Sequence, residues 1–444
     1  MNEPPPTPTT SELLAQMRQA MAAREFERAE RLAEIVSVRE PGQEDAVGFL
    51  VGRALARQEI PRALSIGRAA VQARGDSARL HFQLGLALAA AGDDEAGLRA
   101  FRRARECDPA LLAAPLWQAG QESALGRHED ALRSQLQALT LAERSGALAR
   151  IGSLAPPLRQ RLEQAIASVQ QARREAIEHA LAPLRQRVGR SALARVDAAL
   201  ARLYGQPSPS PGDPLQQPTL LWVPGLPDQP WFEREQFPFL ARLEQATEII
   251  REELLGILGD ENNLSPYVDM PDSAPAAQVW HKLNRSPDWS SYHLYRHGER
   301  IDAHCRRCPK TVALLESLAL MQIPEHSPEI LFSVLKPHTH IPPHTGVING
   351  RLTVHLPLIV PENCGALCAG GQPRGWQVGQ CLVFDDSFVH EAWNQSEHTR
   401  VVLIFDIWNP HLTAPERDGL STAIAALGRF NRRYETGDST HESA

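Results

Sequence analysis

The sequence predicts a multidomain α + β protein in which an α-helical solenoid is followed by a jelly-roll domain. Residues 12–145 repeat with a period of 34 residues and contain almost no β-type pattern, which is typical of helical repeat arrays. The proline-rich residues 206–218 are typical of a linker. From about Tyr292 onward, short apolar segments alternate with Pro, Gly and Asn, a pattern that favours a sandwich or jelly roll.

Length and composition limit the classes of protein to consider. A chain of 444 residues is too long for one ordinary core and predicts two or three domains. The net charge of -7 argues against sequence-independent binding to nucleic acid or to an anionic membrane. Six cysteines are sparse for this length, no apolar run approaches ~20 residues, and the N-terminus is proline-rich rather than basic and then apolar. We therefore expect a cytoplasmic protein with reduced thiols and no membrane span.

Changes of pattern along the chain predict six segments. They are a disordered N-terminus (1–11), helical repeats (12–145), a helical extension (146–205), a proline-rich linker (206–218), a catalytic domain (219–435) and a tail (436–444). The extension is predicted as helix because its apolar residues, such as Leu158, Leu162 and Ile166, recur near a spacing of 3.6. The linker has too few apolar residues to pack and enough proline to stay extended.

The repeat unit is clearest at residues 78–111. Small residues recur at two positions of successive units, namely Ala63 and Ala70, Gly97 and Ala104, and Ala131 and Ala138. Small side chains let the two helices of a unit cross closely, and Pro109 is expected to end the second helix. Gly92 and Gly126 share the position of the turn between the helices. A generic alanine-rich helical bundle is the alternative, but the common register favours repeats.

These units resemble tetratricopeptide repeats over roughly 130 residues. The resemblance implies a concave groove that binds peptides or partner proteins, and it implies no chemistry for this half of the chain. We therefore expect the repeats to engage a peptide or protein substrate in part.

Two histidines and one arginine in the predicted jelly roll suggest a metal site. His344 is followed by Thr345 and Gly346, His390 lies 46 residues after His344, and Arg400 comes ten residues later. Iron(II) accepts imidazole nitrogens, and oxygenases leave coordination positions open for a cosubstrate and O₂. A guanidinium gives a carboxylate two parallel charge-assisted hydrogen bonds. The pattern predicts an oxygenase that depends on Fe(II) and 2-oxoglutarate.

Four segments of the second half resemble the aspartyl/asparaginyl β-hydroxylase family. They are residues 224–231 (PGLPDQPW), 308–311 (CPKT), 336–346 (KPHTHIPPHTG) and 384–394 (FDDSFVHEAWN). The resemblance covers roughly residues 219–412 and implies a double-stranded β-helix, which is a cupin-like jelly roll. It also implies oxidation of 2-oxoglutarate to succinate and CO₂, coupled to hydroxylation of an aspartyl or asparaginyl side chain. Vertebrate members of the family pair such a domain with tetratricopeptide repeats, in agreement with the first half of the chain.

The resemblance further implies roles for residues at the iron and the cosubstrate. His344 and His390 match the two iron ligands, while Arg400 and Ser333 match the residues that hold the far carboxylate of 2-oxoglutarate. His355 matches a histidine beside this cosubstrate. Most oxygenases of this fold complete the ligand set with a carboxylate two residues after the first histidine. Here that residue is Gly346, and the family is thought to fill the position with water.

The resemblance leaves the substrate class open. Arg351 matches an arginine that lines the carboxylate pocket for the substrate, and Arg300 matches a second substrate arginine. Thr353 stands where family members can carry another arginine. Hydroxylation of lipid A acyl chains is therefore an alternative within the same chemistry. A non-catalytic repeat scaffold with a vestigial barrel is an alternative of a different class.

Other metal ligands are also possible from the sequence. Asp385 or Asp386 could supply a carboxylate to the metal, and the pairs Cys305/Cys308 and Cys364/Cys368 could together form a tetrahedral zinc site. Ordinary reduced cysteines are the simpler interpretation. His338 and His340 would share one face of a strand with His344, and we expect them to be structural or to lie behind the ligands.

Overall fold

The computed structural model describes residues 8–259, 263–271 and 276–435. The chain divides into two compact units, residues 1–171 with 432–444 and residues 172–431. The predicted tail and the first seven residues of the predicted N-terminal segment lie outside the described residues. Within the residues described, each helix is too short or too polar to pass through a membrane.

Antiparallel helix pairs build the first unit. Between residues 8 and 145, eight α-helices follow one another: α1 Thr10–Ala22, α2 Phe26–Arg39, α3 Glu44–Ala56, α4 Ile60–Ala73, α5 Ala78–Ala90, α6 Asp94–Cys107, α7 Ala113–Ala124 and α8 His128–Arg144. The second helices of the pairs begin at Phe26, Ile60, Asp94 and His128, which are successive steps of 34 residues. The predicted repeat period is confirmed, and the first unit is a tetratricopeptide-like array.

Backbone conformation repeats together with the helices. Gly92 and Gly126, in the turns within the third and fourth pairs, have φ angles of 75° and 73°. Arg24 and Gln58 take the equivalent positions in the first two pairs, with φ angles of 59° and 61°. The same left-handed turn therefore joins the helices of every pair, and glycine adopts it without the steric cost that other residues have.

Two antiparallel β-sheets form the framework of the second unit. Its strands are β1 Trp231–Phe232, β2 Ser265–Pro266, β3 Trp289–Arg296, β4 Glu299–Arg300, β5 Ile330–Leu335, β6 Thr339–His344, β7 Arg351–Ile359, β8 Leu367–Ala369, β9 Gln372–Arg374, β10 Leu382–Phe384, β11 His390–Asn394 and β12 Arg400–Trp408. In the described part of this unit the larger sheet has the order β1-β10-β7-β12-β5-β3-β2, with β4 beside β3, and the smaller has the order β6-β11-β8-β9. This is the predicted jelly roll.

Helices cover the larger sheet and extend the unit. They are the part of α9 (Pro156–Val188) that follows residue 171, α10 Ala194–Leu203, α11 Leu240–Gln245, α12 Thr247–Leu258, α13 Ala277–Trp280, α14 Asp302–Cys305, α15 Pro309–Glu316 and the part of α16 (Ala414–Glu435) that precedes residue 432. Leu181 of α9, Leu200 of α10 and Leu420 of α16 share one apolar cluster with Leu221 and Ile348 of the jelly roll. Residues 172–205, predicted as a separate helical extension, therefore pack within the second unit.

In β7 and β12, alternate side chains face the apolar core and the cavity between the sheets. In β7 the residues Leu352, Val354, Leu356 and Leu358 enter the main apolar cluster, whereas Arg351, Thr353 and His355 line the cavity between the sheets. In β12 Val401, Leu403, Phe405 and Ile407 enter the same cluster, whereas Arg400, Ile404 and Asp406 line the cavity. Successive side chains of a strand point to opposite faces, so these two strands contribute both to the core and, through Arg351, His355 and Arg400, to the predicted site.

Candidate active site

The two predicted metal-binding histidines face each other across neighbouring strands. His344 ends β6 and His390 begins β11, and the two residues are direct partners in the antiparallel register. Their ring centroids lie 4.0 Å apart. The Nδ1 atom of each ring lies 2.9 Å from a backbone carbonyl oxygen two residues earlier, that of Pro342 or Phe388. A carbonyl oxygen only accepts hydrogen bonds, so Nδ1 donates in both rings and Nε2 carries the lone pair.

Burial keeps both imidazoles neutral. Burial and the neighbouring His390 ring lower the pKa of His344 to about 3. Burial also lowers the pKa of His390, although the carboxylate of Asp386 acts in the opposite direction. A metal ion binds the neutral imidazole. The pair could therefore hold a metal ion at neutral pH through two Nε2 atoms.

The carboxylate of Asp386 fills the space beside Gly346. The Gly346 amide donates to the Asp386 carbonyl oxygen at 2.6 Å, and a Cβ added at Gly346 would overlap the Asp386 carboxylate. Among the described residues, Asp386 Oδ1 is buried without a hydrogen-bond partner, and Oδ2 accepts from Arg351. Asp385 points elsewhere, because it accepts from Gln216 Nε2 at 3.0 Å and from the Ser387 amide at 2.9 Å.

A cavity of about 460 Å³ opens on the histidine pair between the two sheets. It is lined by six of the seven predicted site residues, namely Ser333, His344, Arg351, His355, His390 and Arg400. In the part of the chain that the structure describes, no three His, Cys, Asp or Glu side chains form a group that could hold a metal ion. The candidate centre is therefore a histidine pair rather than a three-residue ligand set.

Arg400 is a buried cation at one end of this cavity. It is 1% exposed, its Nη1 lies 3.4 Å from the Ser333 carbonyl oxygen, and its Nε has no hydrogen-bond partner among the described residues. Burial lowers the pKa of Arg400 to about 10, so the guanidinium stays charged at neutral pH. A buried charge requires an anionic partner, and within the described ranges no carboxylate forms an ion pair with it. The site therefore fits a ligand that brings its own carboxylate.

Two tryptophans that the sequence reading missed contact the predicted cosubstrate residues. Trp289 Nε1 donates to the Ser333 hydroxyl at 3.1 Å, which leaves the Ser333 proton available to a ligand. Trp376 is buried, its Nε1 lies 3.4 Å from His355 Nδ1, and its ring lies under the Arg400 guanidinium. Burial lowers the pKa of His355 well below its usual value, and the Arg400 charge adds to this effect. Sequence spacing gave no signal for either tryptophan.

The other side of the cavity combines carboxylates with aromatic rings. Arg351 is paired with Asp386 through Nη2 and approaches Asp406 Oδ2 at 3.8 Å through Nη1. The Tyr267 ring stacks on Trp289 with centroids 3.9 Å apart, and the Trp280 ring packs edge-on against His344 at 5.1 Å. Both Nη atoms of Arg351 therefore already face carboxylates of the protein, while its buried Nε has no hydrogen-bond partner among the described residues.

Arg300 does not join the predicted site. It belongs to the short β4 strand, where its guanidinium is paired with Asp302 and donates to Glu316 Oε1 at 3.0 Å. It does not line the cavity, so the prediction that it contacts substrate is not supported. Its two carboxylate partners explain its position, because they hold the side chain on the outer surface of the β3–β4 hairpin.

The other histidines and cysteines that the sequence offered as candidate ligands also lie outside the cavity. His338 pairs with Glu397 at 3.1 Å and His340 with Glu391 at 2.7 Å, both with exposed side chains. The cysteines are free thiols. Cys305 Sγ donates to the Leu294 carbonyl oxygen, and Cys364 Sγ to Asn394 Oδ1. The alternative of a four-cysteine zinc site gains no support, since the described residues contain no such cluster.

Part of the predicted linker holds both histidine-bearing turns. We call residues 215–221 the strap. Its backbone bonds the turn before His390, through Gln217 N to Ser387 O and Val389 N to Leu215 O, both at 2.7 Å. It also bonds the turn after His344, through Thr219 N to Gly346 O at 3.0 Å. These bonds tie the end of the predicted linker to the jelly roll.

Gln216 is the buried anchor of the strap. Its side-chain amide donates to Asp385 Oδ2 at 3.0 Å and accepts from Trp222 Nε1 at 2.9 Å. Gln216→Ala is expected to lower the free energy of unfolding by about 2–3 kcal/mol, because a buried carboxylate and an indole N–H both lose their partners. Urea titration would measure this loss. Gln206→Ala, at an exposed glutamine of the predicted linker, is the matched control, and equal stability of the two variants would contradict the anchoring role.

Comparison with known proteins identifies the family. Residues 244–410 match the family model described as aspartyl/asparaginyl beta-hydroxylase. The human aspartyl/asparaginyl beta-hydroxylase is 34% identical over 212 residues, which cover 46% of this chain and 26% of that protein. Aspartate beta-hydroxylase domain-containing protein 2 of Xenopus tropicalis is 35% identical over 217 residues, covering 48% of this chain and 55% of that protein. This chain thus spans about a quarter to a half of these relatives.

A bacterial relative is matched over more of its length. The ornithine lipid ester-linked acyl 2-hydroxylase of Rhizobium tropici is 33% identical over 219 residues, which cover 49% of this chain and 73% of that protein. Among solved structures, the match to MamA (an RS-1 double mutant) covers 31% of this chain and 76% of the MamA chain, with 22% identity and a TM-score of 0.28. The second unit has the jelly-roll fold that the sequence predicted. The chain belongs to the aspartyl/asparaginyl β-hydroxylase family.

Proposed function

We propose that this protein is a hydroxylase that uses Fe(II), 2-oxoglutarate and O₂. One observation carries the proposal: two neutral histidines whose Nε2 atoms carry the lone pairs face the same buried cavity as an arginine without a carboxylate partner among the described residues. A metal that needs open coordination positions suits a pair of imidazoles, and a buried guanidinium suits an acidic cosubstrate.

His344 and His390 would hold the iron. When bound, iron(II) supplies the activation of O₂ that couples oxidation of 2-oxoglutarate to hydroxylation of the substrate. The carbonyl oxygens of Pro342 and Phe388 orient the two rings and increase the basicity of Nε2. The Oδ1 atom of Asp386, which has no hydrogen-bond partner among the described residues, would accept a hydrogen bond from a water molecule bound beside the histidine pair.

Arg400, Ser333 and His355 would bind 2-oxoglutarate. Arg400 and the Ser333 hydroxyl would donate to its far carboxylate. His355, on the same face of β7 as Arg351, would donate to the end near the metal. Apolar neighbours such as Leu331 and Ile404 line the same cavity and exclude water, which strengthens these charge-assisted bonds.

The substrate we propose is an aspartyl, asparaginyl or related side chain of a peptide or protein. The first unit carries a groove of about 740 Å³ lined by Met17, Phe49 and Phe82 together with charged residues such as Arg53 and Glu44. Such a surface suits a peptide segment with apolar and charged side chains. The repeats would therefore contribute to substrate capture, and the jelly roll would carry out the reaction.

A lipid acyl chain is the second candidate substrate. The R. tropici relative is named an acyl hydroxylase. In this chain Thr353 stands where family members can carry an arginine, and Arg351 is already paired with Asp386. The aromatic wall of Tyr267, Trp280 and Trp289 offers apolar contact beside His344. Parallel incubation with asparagine-containing peptides and with ornithine lipid, followed by mass spectrometry for one added oxygen atom, separates the two substrate classes.

Succinate formation tests the chemistry itself. Purified protein incubated with Fe(II), ascorbate, 2-oxoglutarate and O₂ is expected to form succinate, and His390→Ala is expected to abolish this activity. His340→Ala is the matched control, because His340 lies on β6 with His344 but bonds Glu391 at the surface. Binding of 2-oxoglutarate without turnover would indicate that the substrate triggers O₂ activation. If the protein neither binds nor turns over 2-oxoglutarate, a non-catalytic repeat scaffold becomes the better hypothesis.

A further inference from the structure

We infer that Trp376 is a positioning residue for the cosubstrate, which it serves through His355 and Arg400. The inference rests on the proposed function and adds a residue to it. Trp376 lies between β9 and β10, is 7% exposed, and touches both residues through different parts of one indole. Its Nε1 lies 3.4 Å from His355 Nδ1, and its ring centroid lies 4.6 Å from the guanidinium carbon of Arg400.

The indole N–H determines which nitrogen of His355 carries the proton. Indole nitrogen is a donor only, so it makes His355 Nδ1 the acceptor. Burial keeps the ring neutral, and its single proton must then reside on Nε2. His355 consequently presents an Nε2–H donor to a ligand. With the other tautomer, Nδ1–H and the indole N–H would face each other, and a ligand carboxylate would meet a lone pair.

The indole face supports Arg400 without occupying its hydrogen-bond donors. An aromatic ring attracts a cation through its negative face, whereas an aspartate or glutamate would bind the N–H groups themselves. Arg400 is 1% exposed, and its Nε has no partner among the described residues. The ring thus stabilises a buried charge and leaves the guanidinium edge free for a carboxylate. A carboxylate in place of Trp376 would compete with the cosubstrate.

A purely structural role for Trp376 makes a different prediction. The residue also packs in the apolar cluster between the sheets with Leu335, Leu367 and Phe384. If space filling were its whole contribution, a phenylalanine would cost stability but leave ligand affinity unchanged. The contacts of the indole with His355 and Arg400 predict instead a loss of affinity for 2-oxoglutarate. The size of this loss depends on whether the N–H or the aromatic face is removed.

The test is binding of 2-oxoglutarate to the full chain with Fe(II) under anaerobic conditions, measured by calorimetry. Trp376→Phe keeps an aromatic face and removes the N–H, and we expect the Kd to rise about five-fold, the effect of one hydrogen bond. Trp376→Leu also removes the face, and we expect a rise of about 100-fold. Trp117→Phe is the matched control, because the Trp117 ring also lies 4.6 Å from an arginine, Arg161, in the first unit.

A double-mutant cycle shows whether Trp376 acts through His355. In the His355→Ala background, Trp376→Phe is expected to change the Kd by less than about two-fold. A full five-fold effect in that background would overturn the tautomer role. An unchanged Kd in both tryptophan variants, with a lowered Tm, would reduce Trp376 to a core residue. Failure of the unaltered protein to bind 2-oxoglutarate would instead refute the proposed function.

Discussion

Replacing Arg400 by methionine is expected to abolish binding of 2-oxoglutarate and to make the unliganded protein more stable. Arg400 is a buried charge with no carboxylate partner in the described part of the chain, and burying such a charge is costly. Methionine has a similar length and no charge, so the free energy of unfolding should rise by about 1–2 kcal/mol. Two charge-assisted hydrogen bonds contribute about 1.5–3 kcal/mol each, so the Kd should rise at least roughly 100-fold.

Opposite changes of stability and affinity distinguish a ligand-binding arginine from a structural one. Urea unfolding without ligand and calorimetric titration of 2-oxoglutarate provide the two measurements. Arg351→Met is the contrasting variant, because Arg351 is paired with Asp386 and approaches Asp406, and its loss leaves buried carboxylates without a cation. That variant should be less stable than the unaltered protein. Destabilisation by Arg400→Met as well would show that Arg400 has a structural role.

Local and periodic features of this chain could be predicted from its sequence. The 34-residue period of the helix pairs could be predicted, because each repeat is a unit whose geometry depends on its own residues and its neighbours. The strands β5, β7 and β12 lie where short apolar segments predicted strands, because the side chains that face the core of a sheet must be apolar. His344 and His390 stood out because their surrounding motifs resemble a known family, and the structure places them side by side.

Contacts that depend on tertiary pairing could not be predicted. Trp376 meets His355 and Arg400 only after the β9–β10 connection folds against the larger sheet, and no spacing in the sequence encodes that approach. The strap has the composition of a linker, yet its backbone finds partners at Ser387 and Gly346. Arg300 matches a motif position but is held by Glu316. In each case the deciding partner lies far away in the sequence.

Gly346→Ala is expected to damage the histidine pair although it adds only one methyl group. The added Cβ would overlap the Asp386 carboxylate, which is buried, bonded to Arg351 and close to a turn that leads into His390. Forcing a methyl group into a packed site costs about 1–3 kcal/mol. Gly346→Asp should lower the free energy of unfolding further than Gly346→Ala does, because it adds a second buried negative charge beside Asp386. A glycine here therefore preserves the space that Asp386 occupies, and restoring a carboxylate would not create a third metal ligand.

Relief of the overlap in a double variant tests this explanation. Gly346→Ala, Asp386→Ala and the combined variant would be compared by urea unfolding and by titration with Mn(II). If the carboxylate is what the methyl group displaces, the combined variant should be more stable than the sum of the single effects predicts, by about 1 kcal/mol or more. Additive losses would mean that the added methyl group does not act through the Asp386 carboxylate. Thr345→Ala is the control for general sensitivity of this turn. Thr345 lines the same cavity, and its replacement by alanine adds no atom that could overlap a neighbour.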